Sequence, residues 1–323
     1  MDYSRYRIKA SVDWIEFSIM ISQPTQAWRI KKAGGFTYVI GAGVDGTALT
    51  ESHANDPATK FTIRHQDPRH YQEIVRKLAD LGQAGYIASD FQITAIEVAA
   101  DLTDGTATKE DLALAVADLA WLTTSPPHAQ AKAPAAPASH IPESVNFRTY
   151  RKHGEQAERP QNMQRLAERL ADDYQVGIGD KLANRYVHGY VKTSNQVNGE
   201  RVECVPCARL ENTLRGDMLS CLGDDPGALK FSRLAPFFKF GMVAPETSPG
   251  MVALVYRTPF PAWRIDDAGE RTVTRPRTRE GRGAGTRAML PDIKPNTQLN
   301  KRMAKALENL TRSWTASATK RPH

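Results

Sequence analysis

Arg185-Tyr-Val-His-Gly-Tyr-Val-Lys192 (RYVHGYVK) alternates ring-bearing and small apolar residues with a period of two, and that period decides the fold. Side chains on a β-strand point alternately to opposite faces. Tyr186, His188, Tyr190 and Lys192 therefore share one face, and Val187, Gly189 and Val191 the other. Two further stretches carry the same period. In Ile93–Leu102 (ITAIEVAADL), Ile96, Val98, Ala100 and Leu102 face one way and Glu97 and Asp101 the other. In Ala208–Gly216 (ARLENTLRG), Arg209, Glu211, Thr213 and Arg215 lie opposite Ala208, Leu210, Asn212 and Leu214. If the three strands are neighbours in one sheet, one surface collects carboxylates, tyrosines, a histidine, a lysine and arginines. That inventory suits metal-assisted attack on a phosphodiester by a tyrosine.

Outward from these strands, the chain reads as an α+β protein. Mainly antiparallel sheets carry helices on one face, in two related modules joined by a Pro/Ala-rich linker and followed by a basic C-terminal tail. The first module covers residues 1–122. Val12–Met20, Phe36–Ile40 and Lys60–Arg64 are rich in β-branched and aromatic residues and predict strands. Arg69–Leu81 has Ile74, Val75, Leu78 and Leu81 at helical spacing. Thr108–Leu122 opens on a threonine followed by acids, a helix start. Residues 123–142 (TTSPPHAQAKAPAAPASHIP) cannot pack a core and predict an exposed linker. The second module covers 143–263. It has a strand at Val145–Tyr150, a helix at Gln161–Tyr174, the Tyr/Lys and Arg/Glu strands flanking a polar connection at Thr193–Pro206, and a short helix near Asp217–Leu222.

The 323 residues suffice for one large domain or two ordinary ones, and 41% apolar content permits a packed core. No apolar run approaches a membrane span of about 18–20 residues. The opening MDYSRYRIKASVDW lacks the apolar core of a signal peptide, which predicts a cytoplasmic protein without membrane contact. Cys204 and Cys207 form a CxxC, but no second pair completes a zinc site; with Cys221 they read as ordinary reduced thiols. The net charge of +7 is unevenly spread. Residues 264–323 hold 14 Lys and Arg against 6 Asp and Glu, while the rest of the chain is close to neutral. A basic tail attracts polyanions by releasing their counterions, and Arg275, Arg277, Arg279 and Arg282 are its DNA-binding candidates, beside Arg209 and Arg215 on the sheet. Thr297–Trp314 is amphipathic, with Leu299, Met303, Leu307, Leu310 and Trp314 on one side. Such a helix can cap the domain, touch DNA or pair with a second copy in a homodimer.

Cleaving DNA by transesterification needs a nucleophile and charge neutralisation at the phosphate. Tyr190 and Tyr186 are the candidate nucleophiles. Lys192 lies about 6–7 Å along the strand from Tyr190, near enough to favour its phenolate or hold a phosphate. Glu97, Asp101 and Glu211 are candidate ligands for Mg²⁺ or Mn²⁺, which favour oxygen donors. Glu97 and Asp101 are about 13 Å apart along one strand. One metal ion is therefore better served by one of them together with Glu211 from a neighbouring strand. Glu211 between Arg209 and Arg215 reads equally as a salt-bridged structural acid, and His188 as a ligand, a base or a structural histidine.

At these residues the chain resembles the replication initiation proteins of rolling-circle plasmids and filamentous phages, in particular the trans-acting replication initiator family. Ile96-Glu97-Val98-Ala99-Ala100-Asp101 matches that family's acidic strand. Gly177-Ile178-Gly179-Asp180 leads at the family's spacing to Tyr190-Val191-Lys192, and Arg209-Leu210-Glu211 continues to Leu214-Arg215-Gly216. The match runs over residues 93–216. It implies a sequence-specific DNA nickase that starts replication, joins a 5′ phosphate to a tyrosine with the help of a divalent metal, recognises hairpin origin DNA and recruits a host helicase in the bacterial cytoplasm. At the family's nucleophile position stands Gly177, so the attacking hydroxyl would come from Tyr186, Tyr190 or Tyr174. A DNA-binding replication or regulatory protein that does not cut is the alternative.

Overall fold

The computed structural model describes residues 1–42, 56–123, 148–150, 162–179, 181–197, 200–243, 245–247, 249–250, 252, 264–265, 271–272 and 293–316. Residues 124–142 of the predicted linker (123–142) and the arginines 275, 277, 279 and 282 lie outside the described residues. Among the described residues, no helix is long and apolar enough to cross a membrane.

The fold is α+β, built on one sheet of eight strands. The strands are β1 (Arg7–Thr25), β2 (Tyr38–Gly41), β3 (Ala58–Gln66), β4 (Ala88–Thr103), β5 (Arg148–Tyr150), β6 (Gln175–Ile178), β7 (Arg185–Val197) and β8 (Glu200–Arg215). Their order is β2-β3-β1-β4-β8-β7-β6-β5. The first four strands interleave, whereas the last four form a meander in chain order. The β1–β3, β2–β3, β5–β6 and β6–β7 pairs are antiparallel. Side-chain contacts run in the same sense between β4 and β8, where Asp101 meets Arg209 and Glu97 meets Thr213.

The chain divides into two compact units. One comprises residues 1–9, 100–212 and 234–306. Here α3 (Lys109–Trp121) starts with a capping box: the Thr108 hydroxyl accepts from the Asp111 amide and the Asp111 carboxylate accepts from the Thr108 amide. Its interior, Leu112–Trp121, is buried on nearly every side, which explains why it is rich in alanine. Helix α4 (Met163–Ala171), capped by the Asn162 side chain, packs on α3 and buries Leu166, Ala167 and Leu170. Val116 of α3 rests against Gly189 of β7. A Cβ at that glycine would lie 3.0 Å from Val116, 3.1 Å from Leu210 and 3.1 Å from Val176. The apolar face of β7 is therefore the helix-covered face, as its alternation predicts. Short strands β9 (Gly241–Val243) and β12 (Ile293–Pro295) pair antiparallel, as do β10 (Arg264–Ile265) and β11 (Arg271–Thr272).

The other unit comprises residues 10–99, 213–233 and 307–323. It holds α1 (Ala27–Gly34) and α2 (Tyr71–Gln83), joined where Lys77 Nζ donates to the Gly35 carbonyl at 2.6 Å. Gly35 closes α1 at φ 58°, a left-handed value that favours glycine. The buried residues of β1 change parity, from Ala10, Val12 and Trp14 to Ile15, Phe17, Ile19 and Ile21, so the two halves of the strand bury opposite faces. Val75, on the predicted stripe of α2, is 37% exposed, whereas Ile74 and Leu81 are fully buried.

Two sequence readings change. Helix α1 falls in a stretch assigned to no element. The connection at Thr193–Pro206 is largely strand, because β7 runs on to Val197 and β8 begins at Glu200. The amphipathic helix, α5 (Thr297–Ala316), is part of the core: Leu299, Met303, Leu307, Leu310 and Trp314 are all buried. In the first unit Arg302 donates to the Tyr3 and Tyr6 carbonyls. In the second, Trp314 packs edge-on against Phe231 and donates to the Pro226 carbonyl at 2.9 Å.

Candidate active site

Glu211 is the centre of the polar face. It is 2% exposed and faces three partners. The Tyr190 hydroxyl donates to Oε1 at 2.9 Å, His188 Nδ1 lies 2.8 Å from Oε2, and Arg209 Nη1 lies 3.3 Å from Oε1. Arg209 makes a fork-to-fork pair with Asp101, Nε to Oδ1 at 2.6 Å and Nη2 to Oδ2 at 2.7 Å. His188 Nε2 lies 2.8 Å from Gln175 Oε1 on β6. The backbone explains the convergence. His188 of β7 pairs in register with Gly177 of β6, the strand that carries Gln175. The His188 ring stacks with Tyr186 at 6.0 Å and approaches Tyr190 at 5.0 Å between centroids.

Electrostatics favour a charged network. Burial alone would raise the Glu211 pKa. The hydrogen bond and charge of His188, the Arg209 guanidinium and the Tyr190 hydroxyl outweigh it and hold the carboxyl below its ordinary range. Burial works against the charge of Arg209, but Asp101 and Glu211 hold it firmly protonated. Cys207, buried beside Asp101, is pushed up to about 12 and is no nucleophile at neutral pH. All three cysteines are free thiols.

The structure brings Tyr190, His188, Arg209, Asp101 and Glu211 together as the strand alternation predicts. Tyr190 is half-buried. Tyr186 is 6% exposed, a poorer position from which to reach a DNA strand. Lys192 follows on the Tyr190 face, half-buried, with no hydrogen bond or ion pair to a described residue. Glu97 is buried and accepts from the Thr213 hydroxyl.

Both oxygens of Asp101 are taken by Arg209. Sequence reasoning missed Gln175. Gln175 had no signal, because β6 is short and follows a helix end directly.

No protein-family model and no curated protein matches the sequence. Among solved structures, the chain is similar to a rolling circle replication initiator protein from Geobacillus stearothermophilus, at 11% sequence identity and a TM-score of 0.33 over 79% of this chain and 99% of that one. A likeness at that TM-score decides neither fold nor function.

Proposed function

We propose that this chain is a replication initiation protein of a phage or plasmid, which nicks origin DNA by tyrosine transesterification to start rolling-circle replication. The observation that carries the reading is the Tyr190 hydroxyl donating to buried Glu211, with Arg209 and His188 on the same carboxylate. The order of the acidic, Tyr-x-Lys and Arg-x-Glu strands in the sequence supports the initiator context. Origin DNA is the substrate, and the same resemblance implies helicase recruitment.

Tyr190 Oη attacks the phosphorus, the P–O3′ bond breaks, and the 5′ phosphate becomes joined to the tyrosine. The phenolic proton passes to Glu211, and the leaving 3′ oxygen takes a proton from solvent to end as a hydroxyl. Arg209 steadies the carboxylate and the charge that develops on the tyrosine oxygen. A Mg²⁺ or Mn²⁺ ion, which the resemblance implies, would neutralise charge on the phosphate.

A second reading has its own observation. Glu211 is almost fully buried with three partners, as a purely structural network would be. The chain would then grip DNA without cutting it. Supercoiled replicon DNA incubated with Mg²⁺ decides between them. Transesterification predicts nicked circles, with cutting reduced about 10³-fold or more in Tyr190→Phe. Specific binding without nicking by the wild-type chain would overturn it in favour of the second reading.

A further inference from the structure

Trp14 carries two arginines. The Arg64 guanidinium carbon lies 4.2 Å from the indole centroid and that of Arg215 lies 5.8 Å from it. Among the described residues one carboxylate answers them directly: Glu16 accepts from Arg64 Nη2 at 2.7 Å, while its other oxygen accepts from Thr94 at 3.2 Å. Arg215 has no hydrogen bond or ion pair to a described residue. Arg64 Nε and Arg215 Nη1 are buried without a hydrogen-bond partner. Each such N–H carries a desolvation cost that an acceptor would remove. Burial, together with the charge of Arg64, lowers the Arg215 pKa despite Glu16 and Glu97.

We propose that Arg64 and Arg215, laid against Trp14, form a binding site for a backbone phosphate of the DNA strand. The reading rests on the DNA-processing function above and assigns it a separate contact. Two planar guanidiniums present forked N–H donors that match phosphate oxygens. Stacking on the indole holds the forks in place before the ligand arrives. Arg215 ends the strand that carries Arg209, Glu211 and Thr213, so a nucleic-acid strand engaged at this face has its phosphates as the natural anion.

Equilibrium binding of a fluorescent single-stranded oligonucleotide to the full chain in EDTA tests the site without cleavage. Arg215→Met keeps an alkyl chain on Trp14 and removes the charge. Its affinity should fall about tenfold or more, and its log–log salt slope should shrink by about 0.7 per lost phosphate contact. Arg64→Met should do the same. The double variant should lose less than the sum of the two, because both arginines hold one phosphate. The Arg215→Met unfolding midpoint should stay level or rise, since a desolvated charge beside Arg64 is gone. An unchanged salt slope overturns the proposal, as does a clear fall in midpoint with unchanged DNA affinity. A mononucleotide binding as tightly as the oligonucleotide overturns the strand assignment. A wild-type chain that fails to nick while these variants lose salt slope refutes the nickase and leaves the phosphate site standing.

Discussion

Glu211 shows how a single buried carboxylate can be tolerated. Its hydration is replaced by an arginine, a histidine and a tyrosine hydroxyl, and the arginine is itself anchored on Asp101. Breaking such a network leaves charges without partners. Glu211→Gln should therefore destabilise the chain by about 3 kcal/mol at pH 7, read by urea unfolding. Because its folded pKa is lowered, the contribution of Glu211 is full above the ordinary carboxylate range and is lost as pH falls through the folded value. His65 gives a second acid-sensitive term. It is 6% exposed and pairs with Glu73 at 3.1 Å. Burial lowers its pKa more than Glu73 raises it. The unfolded chain thus takes up the proton first, and stability should fall as pH drops through about 6.5. His65→Gln should flatten the unfolding free energy in that window, and an unchanged profile would refute the assignment. At this scale the sequence is informative wherever alternation applies: the period of two alone puts Tyr190 with His188 on one face of its strand, and Arg209 with Glu211 on one face of theirs. It could not show that Arg209 would choose Asp101, because that depends on which strand lies alongside.

Helices and strands followed their local chemistry unevenly. Helix α3 was legible from Thr108 onward because its cap is written in the sequence. Thr108→Ala should cost about 1 kcal/mol by loss of that cap, measurable in denaturant melts. Strand β7 makes the opposite demand at Gly189, where α3 sits too close for a side chain. Gly189→Ala should destabilise by about 1–3 kcal/mol through overpacking against Val116, Leu210 and Val176. A neutral or stabilising effect would mean that the helix moves freely away. Helix α1 was not legible. It spans 8 residues, has no side-chain cap on Gln26, and holds three basic residues in Trp28–Lys32 that resemble a polar loop. The parity change in β1 was also hidden, since Trp14 and Ile15 are both apolar and either phase looks plausible.

The final fifth of the sequence carries the chain's excess positive charge together with part of its buried core. Removing 264–323 would delete α5 together with Met303, Leu307 and Trp314, so lost DNA binding in that truncation would report unfolding. The cleaner variant keeps α5 and replaces Arg275, Arg277, Arg279 and Arg282 with Gln. It should weaken DNA binding similarly for all sequences and reduce the salt slope by up to about 0.9 per lost contact on duplex. An unchanged slope would remove this segment from the DNA interface. The acidic, tyrosine and Arg-x-Glu strands were recognisable from sequence because each carries a period of two. Their adjacency, with β4 beside β8 and β8 beside β7, is a property of the folded sheet. The central claim is that Tyr190 forms the covalent link to DNA. The most direct measurement is mass spectrometry of the DNA-linked peptide after reaction with Mg²⁺. The account predicts a nucleotide adduct on Tyr190, lost in Tyr190→Phe and retained in Tyr186→Phe. An adduct on any other residue, or one that persists in Tyr190→Phe, would contradict it.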